Sequence, residues 1–205
     1  MSRYTGPRVK KMRAVGVDLP GLSRKSIDRR PFPPGDHGSA RKQRKSDYGL
    51  QLMEKQKIVL NYGITERQMR RLVREARSDS GPSGDKLFEF LERRLDNVVF
   101  RAGFAPTIPA ARQLVSHGHF LLNNRRVNIP SIRVKLGDVI QLRDRSRTMS
   151  NIVDSMASSS LQMPGWIKLD AAEFSCSVLE LPEGVDSAPF SVDVQKVIEF
   201  YSRSL

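Results

Sequence analysis

The sequence predicts an α+β fold. Two observations carry that reading. Apolar residues recur at three- and four-residue spacing through residues 47–115, and then at two-residue spacing through residues 120–142. A third observation divides the chain lengthwise. Residues 1–50 carry a net charge of +9, residues 51–150 another +9, and residues 151–205 carry −5.

Residues 1–46 hold little apolar material and many breakers: Gly6-Pro7, Pro20-Gly21, Pro31, Pro33-Pro34-Gly35 and Gly38. They read as a basic extended arm with turns and no packed core. A helix is expected from Asp47, burying Leu50, Met53, Ile58, Val59 and Leu60, and Asn61-Tyr62-Gly63 ends it. Thr65 caps the next helix, with Gln68 three residues on to complete a capping box. Met69, Leu72, Val73 and Ala76 form its apolar face, while Arg67, Arg70, Arg71, Arg74 and Arg77 line the rest. Residues 47–84 thus form a helical domain that closes on the linker Ser80-Gly81-Pro82-Ser83-Gly84.

Asp85 is expected to cap a third helix with Leu87, Phe88, Leu91, Leu95 and Val98 in one register, stopped by Gly103. Thr107 and Pro109 open a fourth, whose inner side is Ala110, Ala111, Leu114 and Val115, and Gly118 ends it. Phe120-Leu121-Leu122 and Val127-Asn128-Ile129 then flank Asn123-Asn124-Arg125-Arg126, a hairpin in which asparagine supplies the positive φ. Ile132, Val134 and Leu136 alternate, Gly137-Asp138 turns, and Val139-Ile140-Gln141-Leu142 gives another strand. Residues 85–150 therefore read as two helices packed on a small β-sheet. Residues 151–184 read as a variable segment, Ser-rich and then acidic, with a short β-like run at Ser177-Val178-Leu179 and another further on at Phe190-Ser191-Val192-Asp193. Val197-Ile198-Glu199-Phe200-Tyr201 needs burial, so residues 185–205 are expected to return and complete the helical domain.

Composition narrows the function. Gathering +18 on 150 residues opposes folding unless a polyanion relieves the repulsion. Apolar residues make up 39%, below the usual ~45–50%, which fits a chain whose order leans on its partner. The single cysteine, Cys176, excludes an intramolecular disulfide and argues against a thiolate metal cage. No apolar run approaches the ~18–20 residues that span a bilayer, so no membrane partner is expected. Residues 1–17 are basic and acid-free like a transit peptide, but Gly6, Pro7 and Gly16 interrupt an amphipathic helix there. Without a Gly-rich phosphate loop or a convergent acid–base set, neither a cofactor nor a small-molecule substrate is indicated.

One run carries a family resemblance. Leu91-Glu92-Arg93-Arg94-Leu95-Asp96-Asn97-Val98-Val99-Phe100-Arg101 leads to Ala111-Arg112-Gln113-Leu114-Val115-Ser116-His117-Gly118-His119. Then come Leu122-Asn123-Asn124-Arg125-Arg126-Val127-Asn128-Ile129-Pro130 and Val134-Lys135-Leu136-Gly137-Asp138-Val139-Ile140. This closely resembles the S-four RNA-binding domain. The opening Met1-Ser2-Arg3-Tyr4-Thr5-Gly6-Pro7-Arg8, the run from Pro34-Gly35-Asp36-His37-Gly38 to Glu54-Lys55-Gln56-Lys57, and the ending Glu199-Phe200-Tyr201-Ser202-Arg203 resemble the small-subunit ribosomal family itself. Pro106-Thr107-Ile108-Pro109-Ala110-Ala111-Arg112 is most similar to cyanobacterial and plastid members. Asp36 stands where the family usually has Gln, and Asn124 where it usually has Gly. The zinc that some members hold through N-terminal cysteines is not carried over, because no cysteine precedes Cys176.

The resemblance implies a structural constituent of the small ribosomal subunit, in bacterial cytoplasm or plastid stroma. Such a protein binds 16S-type rRNA early, organises a multi-helix junction, and touches ribosomal protein S-five in a contact that affects decoding accuracy. It also implies that Arg41, Lys42, Arg44 and Lys45 line the tunnel by which mRNA enters. Candidate rRNA contacts are Arg3, Arg8, Lys10 and Lys11 in the arm and Arg67, Arg70, Arg71 and Arg74 on the second helix. In the module, Arg93, Arg94, Arg101, Arg112, Arg125 and Arg126 can fork onto phosphates, and Gln113, His117 and Asn123 can reach 2′-hydroxyls or base edges. Two rivals stand beside this reading. Arg94-Leu95-Asp96 is similar to the Arg-Leu-Asp of pseudouridine synthases, but no separate catalytic domain fits here, and Asp96 is better read as orienting a neighbouring Arg. The second rival is a free RNA chaperone or tRNA-binding stress factor built on the same domain.

Overall fold

The computed structural model describes residues 4–39, 45–158 and 161–202. Among them the helices run α1 (Arg8–Val15), α2 (Asp47–Tyr62), α3 (Glu66–Ser78), α4 (Ser83–Glu92), α5 (Leu95–Arg101), α6 (Ile108–Ser116), α7 (Ser150–Ala157) and α8 (Val194–Ser202). The strands are β1 (Phe120–Leu122), β2 (Arg125–Val127), β3 (Val139–Leu142), β4 (Ile167–Asp170) and β5 (Ser175–Val178). The class is α+β, as the change of period predicts. The chain divides into two compact units, Met1–Leu87 with Ala188–Leu205, and Phe88–Ser187.

The first unit corrects the reading of residues 1–46 as an extended arm. Within the described stretch α1 forms, and Met12, Val15, Leu19 and Leu22 are buried together with Ile27, Leu60 and Phe190 packed against them. Met12 and Val15 lie three apart on α1, and Leu19 and Leu22 follow in the turn beyond it, so only the first pair carries a helical spacing and the neighbouring breakers obscure it. Gly16 ends the helix after Val15. It takes φ +74° as the helix cap, and its N–H donates to the Met12 carbonyl at 2.8 Å. Buried Asn61 fixes the following turn by accepting the Gly21 N–H at 2.9 Å.

Ser46 caps α2, accepting the Gly49 N–H through its hydroxyl, and Gly63 ends the helix at φ +58°. The predicted capping box opens α3, where Thr65 accepts the Gln68 N–H at 3.3 Å and Gln68 accepts the Thr65 N–H at 2.9 Å. Helix α8 packs on α2 and α3 with Val197 and Tyr201 buried. The Tyr201 hydroxyl donates to Glu66 at 2.9 Å, and Lys55 pairs with the other Glu66 oxygen at 2.6 Å. Burial pushes the Glu66 carboxyl up, but the bonds from Lys55 and Tyr201 and the charges of Lys55 and Arg70 outweigh it. The net result lies below the usual carboxylate range. Burial, and then the bond to Glu66, raise the Tyr201 phenol.

In the second unit the single helix expected from Asp85 is two. Helix α4 starts at Ser83, with Asp85 in its first turn, and ends at Glu92, while α5 begins at Leu95. Arg94 at the break is extended (φ −66°, ψ 135°) and forms an isolated bridge with Arg133. Residues 132–136, predicted to form a strand, do not form one, and residues 130–134 instead satisfy the backbone freed by the break. Leu95 N–H donates to the Ile132 carbonyl at 2.8 Å, Asp96 N–H to Pro130 at 3.1 Å, and Val134 N–H to Arg93 at 2.9 Å. Leu91 and Leu95 stay four apart across the break, so apolar spacing cannot reveal it.

The sheet order is β2-β1-β3-β5-β4, every pairing antiparallel. The hairpin forms with asparagine at positive φ as expected, at +50° for Asn123 and +64° for Asn124, but the turn is these two residues alone and β2 takes Arg125–Val127 in place of residues 127–129. Strands β4 and β5 come from residues 151–184, which the sequence reading sets apart as variable. Their buried residues, Ile167, Cys176 and Val178, alternate with serine and charge in strands only four residues long, a weak period-two signal. Residues 190–193 stay irregular. The Ser-rich stretch becomes α7, anchored where buried Ser155 donates to the Gly103 carbonyl at 2.9 Å. Phe104 and Phe120 meet edge-on at 5.6 Å in the core beneath the sheet.

Candidate nucleic-acid interface

The arginines of the second unit sort into two groups. One group is spent on the protein interior. Fully buried Asp96 accepts from Arg94 at 3.1 and 2.9 Å and from Arg112 at 2.9 and 2.6 Å. Arg93 donates to Glu89 at 2.7 Å and to the Val134 carbonyl at 2.9 Å. Arg101 lies 3.4 Å from fully buried Glu92 and donates to the Ser187 carbonyl at 2.9 Å. Arg93, Arg94, Arg101 and Arg112, expected to fork onto phosphates, are thus engaged within the protein. Buried carboxylates need cationic partners, and these four supply them or tie down carbonyls. Sequence cannot separate such residues from surface arginines of the same run.

The second group faces outward. Arg125 and Arg126 are exposed on β2, Gln113 is exposed on α6, and His117 is exposed at its C-terminal cap. Asn123 is exposed but engaged. Its amide donates to Asp138 at 2.8 Å and accepts the Val139 N–H at 2.9 Å, so it fastens the hairpin to β3.

In the first unit, Arg67, Arg70, Arg71 and Arg74 are all exposed on α3. Arg70 sits 3.6 Å from Glu66, and no carboxylate pairs with Arg67, Arg71 or Arg74 among the described residues. Lys10 and Lys11 are exposed on α1, with Lys11 over the Tyr4 ring, whereas half-buried Arg8 donates to the Leu22 carbonyl at 3.3 Å. Lys45 is exposed just before α2 and touches the Met53 sulfur. Arg3, Arg41, Lys42 and Arg44 lie outside the described residues.

A cluster that the sequence does not announce lies at the end of α6. The Arg143 guanidinium donates to the Gly118 carbonyl at 3.1 Å, and the Arg126 guanidinium lies against the Gly118 α-carbon. His119 hydrogen-bonds Ser146 at 2.9 Å, and its ring is 6.1 Å from that of His117. Burial, followed by the charges of His117, Arg143 and Arg126, holds the His119 imidazole below its ordinary value. The usable signal for Arg143 is its place one residue past β3, where the strand's period of two, carried on, sets Gln141 and Arg143 opposite buried Ile140 and Leu142.

A helix pair on a small antiparallel sheet, with outward cations left unpaired, defines the nucleic-acid-binding class of basic α+β proteins. Residues 3–92 match the family model for the ribosomal protein S4/S9 N-terminal domain, and residues 93–140 match that for the S4 domain. The chain is 54% identical to small ribosomal subunit protein uS4 of Methylobacillus flagellatus and 52% identical to uS4B of Nitrosomonas europaea, in each case over the full length of both chains. It is 47% identical to uS4 of Rubrobacter xylanophilus, over 99% of this chain and all of that one. The chain belongs to the uS4 family of small ribosomal subunit proteins. Its role in that family is structural, as a constituent of the subunit, and not enzymatic.

Proposed function

We propose that this protein binds small-subunit rRNA early in assembly and holds several rRNA helices at one junction. The observation that carries the reading is the sorting of the arginines. Arg67, Arg71, Arg74, Arg125 and Arg126 are exposed without acidic partners, while the inward arginines are matched to carboxylates or carbonyls. Unpaired surface cations on a chain of net +13 gain by displacing counterions from phosphates. Lys10, Lys11, Gln113 and His117 extend the proposed contacts; Arg8 and Asn123 act chiefly as supports. Arg3 belongs to the same proposal through the family pattern.

The basic segment with Arg41, Lys42, Arg44 and Lys45 is proposed to line the tunnel by which mRNA enters, and ribosomal protein S-five is the proposed protein neighbour. Both rest on the family pattern. The test of the rRNA reading is binding of the full chain to purified small-subunit rRNA across a salt series. With ~6–10 phosphate contacts, affinity falls ~10³–10⁵-fold between 50 and 200 mM salt. A flat profile rejects the mechanism. Lys42→Ala with Arg44→Ala should leave subunit assembly intact and slow translation of structured mRNA; failed assembly rejects the tunnel assignment.

A further inference from the structure

We infer that Gly118 is the floor of a seat for one phosphodiester, walled by Arg126, Arg143, His117 and His119. The inference rests on the rRNA-binding reading above and assigns one of its phosphate contacts to a place. Three chain segments converge there. The C-terminal end of α6 supplies His117 and Gly118, β2 supplies Arg126, and the exit of β3 supplies Arg143. Both arginines come up against Gly118. Arg143 is tethered to the Gly118 carbonyl, and a β-carbon on Gly118 would stand 2.6 Å from Arg126 Nε and 2.8 Å from Nη2. Gly118 also has φ +73°, where a side chain is strained. A larger residue there displaces the Arg126 guanidinium.

Charge points to the ligand. Two guanidinium groups and two imidazoles gather with no carboxylate pairing any of them among the described residues. The nearby Asp144 carboxylate pairs with Arg147 at 3.1 Å instead. Such a set repels itself until an anion enters, and two guanidinium forks match phosphate oxygens. His119 is the internal reporter. It is faced by His117 from the cap of α6, Arg126 from β2, Arg143 from the exit of β3 and Ser146 from the turn after it. Burial first, and then these neighbouring charges, hold its imidazole below the ordinary value in the free protein. A bound phosphate offsets those charges, raises the imidazole's proton affinity, and so binds more tightly as pH falls through the raised value.

The experiment uses the full chain and small-subunit rRNA. Arg126→Gln and Arg143→Gln should each weaken binding ~3–30-fold and reduce the salt slope by about 1. Arg143→Lys should restore the slope, and Gly118→Ala should reproduce the Arg126→Gln loss. NMR of the His119 ring should show its pKa rise on adding rRNA and not on adding millimolar inorganic phosphate. Arg67→Gln with Arg71→Gln serves as the control in the other unit. If the control lowers the slope but the Arg126 and Arg143 variants, folded by circular dichroism, leave it and the His119 titration unchanged, the seat is refuted and the general reading stands. A His119 response to inorganic phosphate without any rRNA effect likewise refutes it, marking a free-anion site. If the wild-type chain ignores rRNA, the general reading fails first.

Discussion

Asp96 is the point at which the second unit is most exposed to a single change. Its carboxylate is fully buried and takes four donated bonds, two from Arg94 and two from Arg112. Asp96→Asn keeps the shape, removes the charge, and turns an amide N–H₂ toward guanidinium groups that can only donate. Two cations then lose their counter-charge, Arg94 inside and Arg112 near the surface with 16% of its side chain exposed. Breaking a buried pair costs about 3–5 kcal/mol. At ~2–4 °C per kcal/mol for a chain of this size, the melting temperature should fall ~6–20 °C. Trp166 is the only tryptophan and is buried in this unit, so its fluorescence in a urea titration follows the right transition. Arg112→Gln alone should cost less, and the Asp96–Arg112 pair should show a coupling of at least ~1 kcal/mol in a double-mutant cycle. A loss below ~1 kcal/mol for Asp96→Asn, or additive single variants, would refute the reasoning and leave Asp96 a bystander.

Other expectations follow from single groups. Glu66 titrates below the usual carboxylate range, so its contribution is complete above about pH 4.5 and is lost as pH falls through its folded value. Acid titration of wild type against Glu66→Gln should show a steeper acid limb in the wild type; parallel limbs contradict the Lys55–Glu66–Tyr201 account. Burial pushes the Cys176 thiol up to about 12, so alkylating reagents at pH 8 should spare the native chain and label it in denaturant. Asn124→Gly should stabilise the second unit by ~0.3–1 kcal/mol, because the position holds φ +64°, and a loss measured by urea titration would contradict that. Ser155→Ala should cost ~1–2 kcal/mol by stranding the buried Gly103 carbonyl, read from the same transition.

Local rules of the chain were enough for several features. The Thr65–Gln68 box, the Asn123–Asn124 turn, the apolar face of α3 and the burial demand of α8 each depend on residues a few positions apart, where spacing and φ preference act directly. The charge sorting was equally plain, since it needs only composition. Tertiary structure alone decided which arginines face water. Arg94 and Arg126 are the same residue type in the same run, yet one neutralises a buried aspartate and the other stands free on a hairpin. It also decided the break at Arg94, because the compensating carbonyls of Pro130 and Ile132 lie more than thirty positions away. The Gly118 cluster and the docking of β5 on β3 have the same origin. Hydrogen bonds and ion pairs between distant segments leave no periodic trace, so their partners become known only when the fold brings them together.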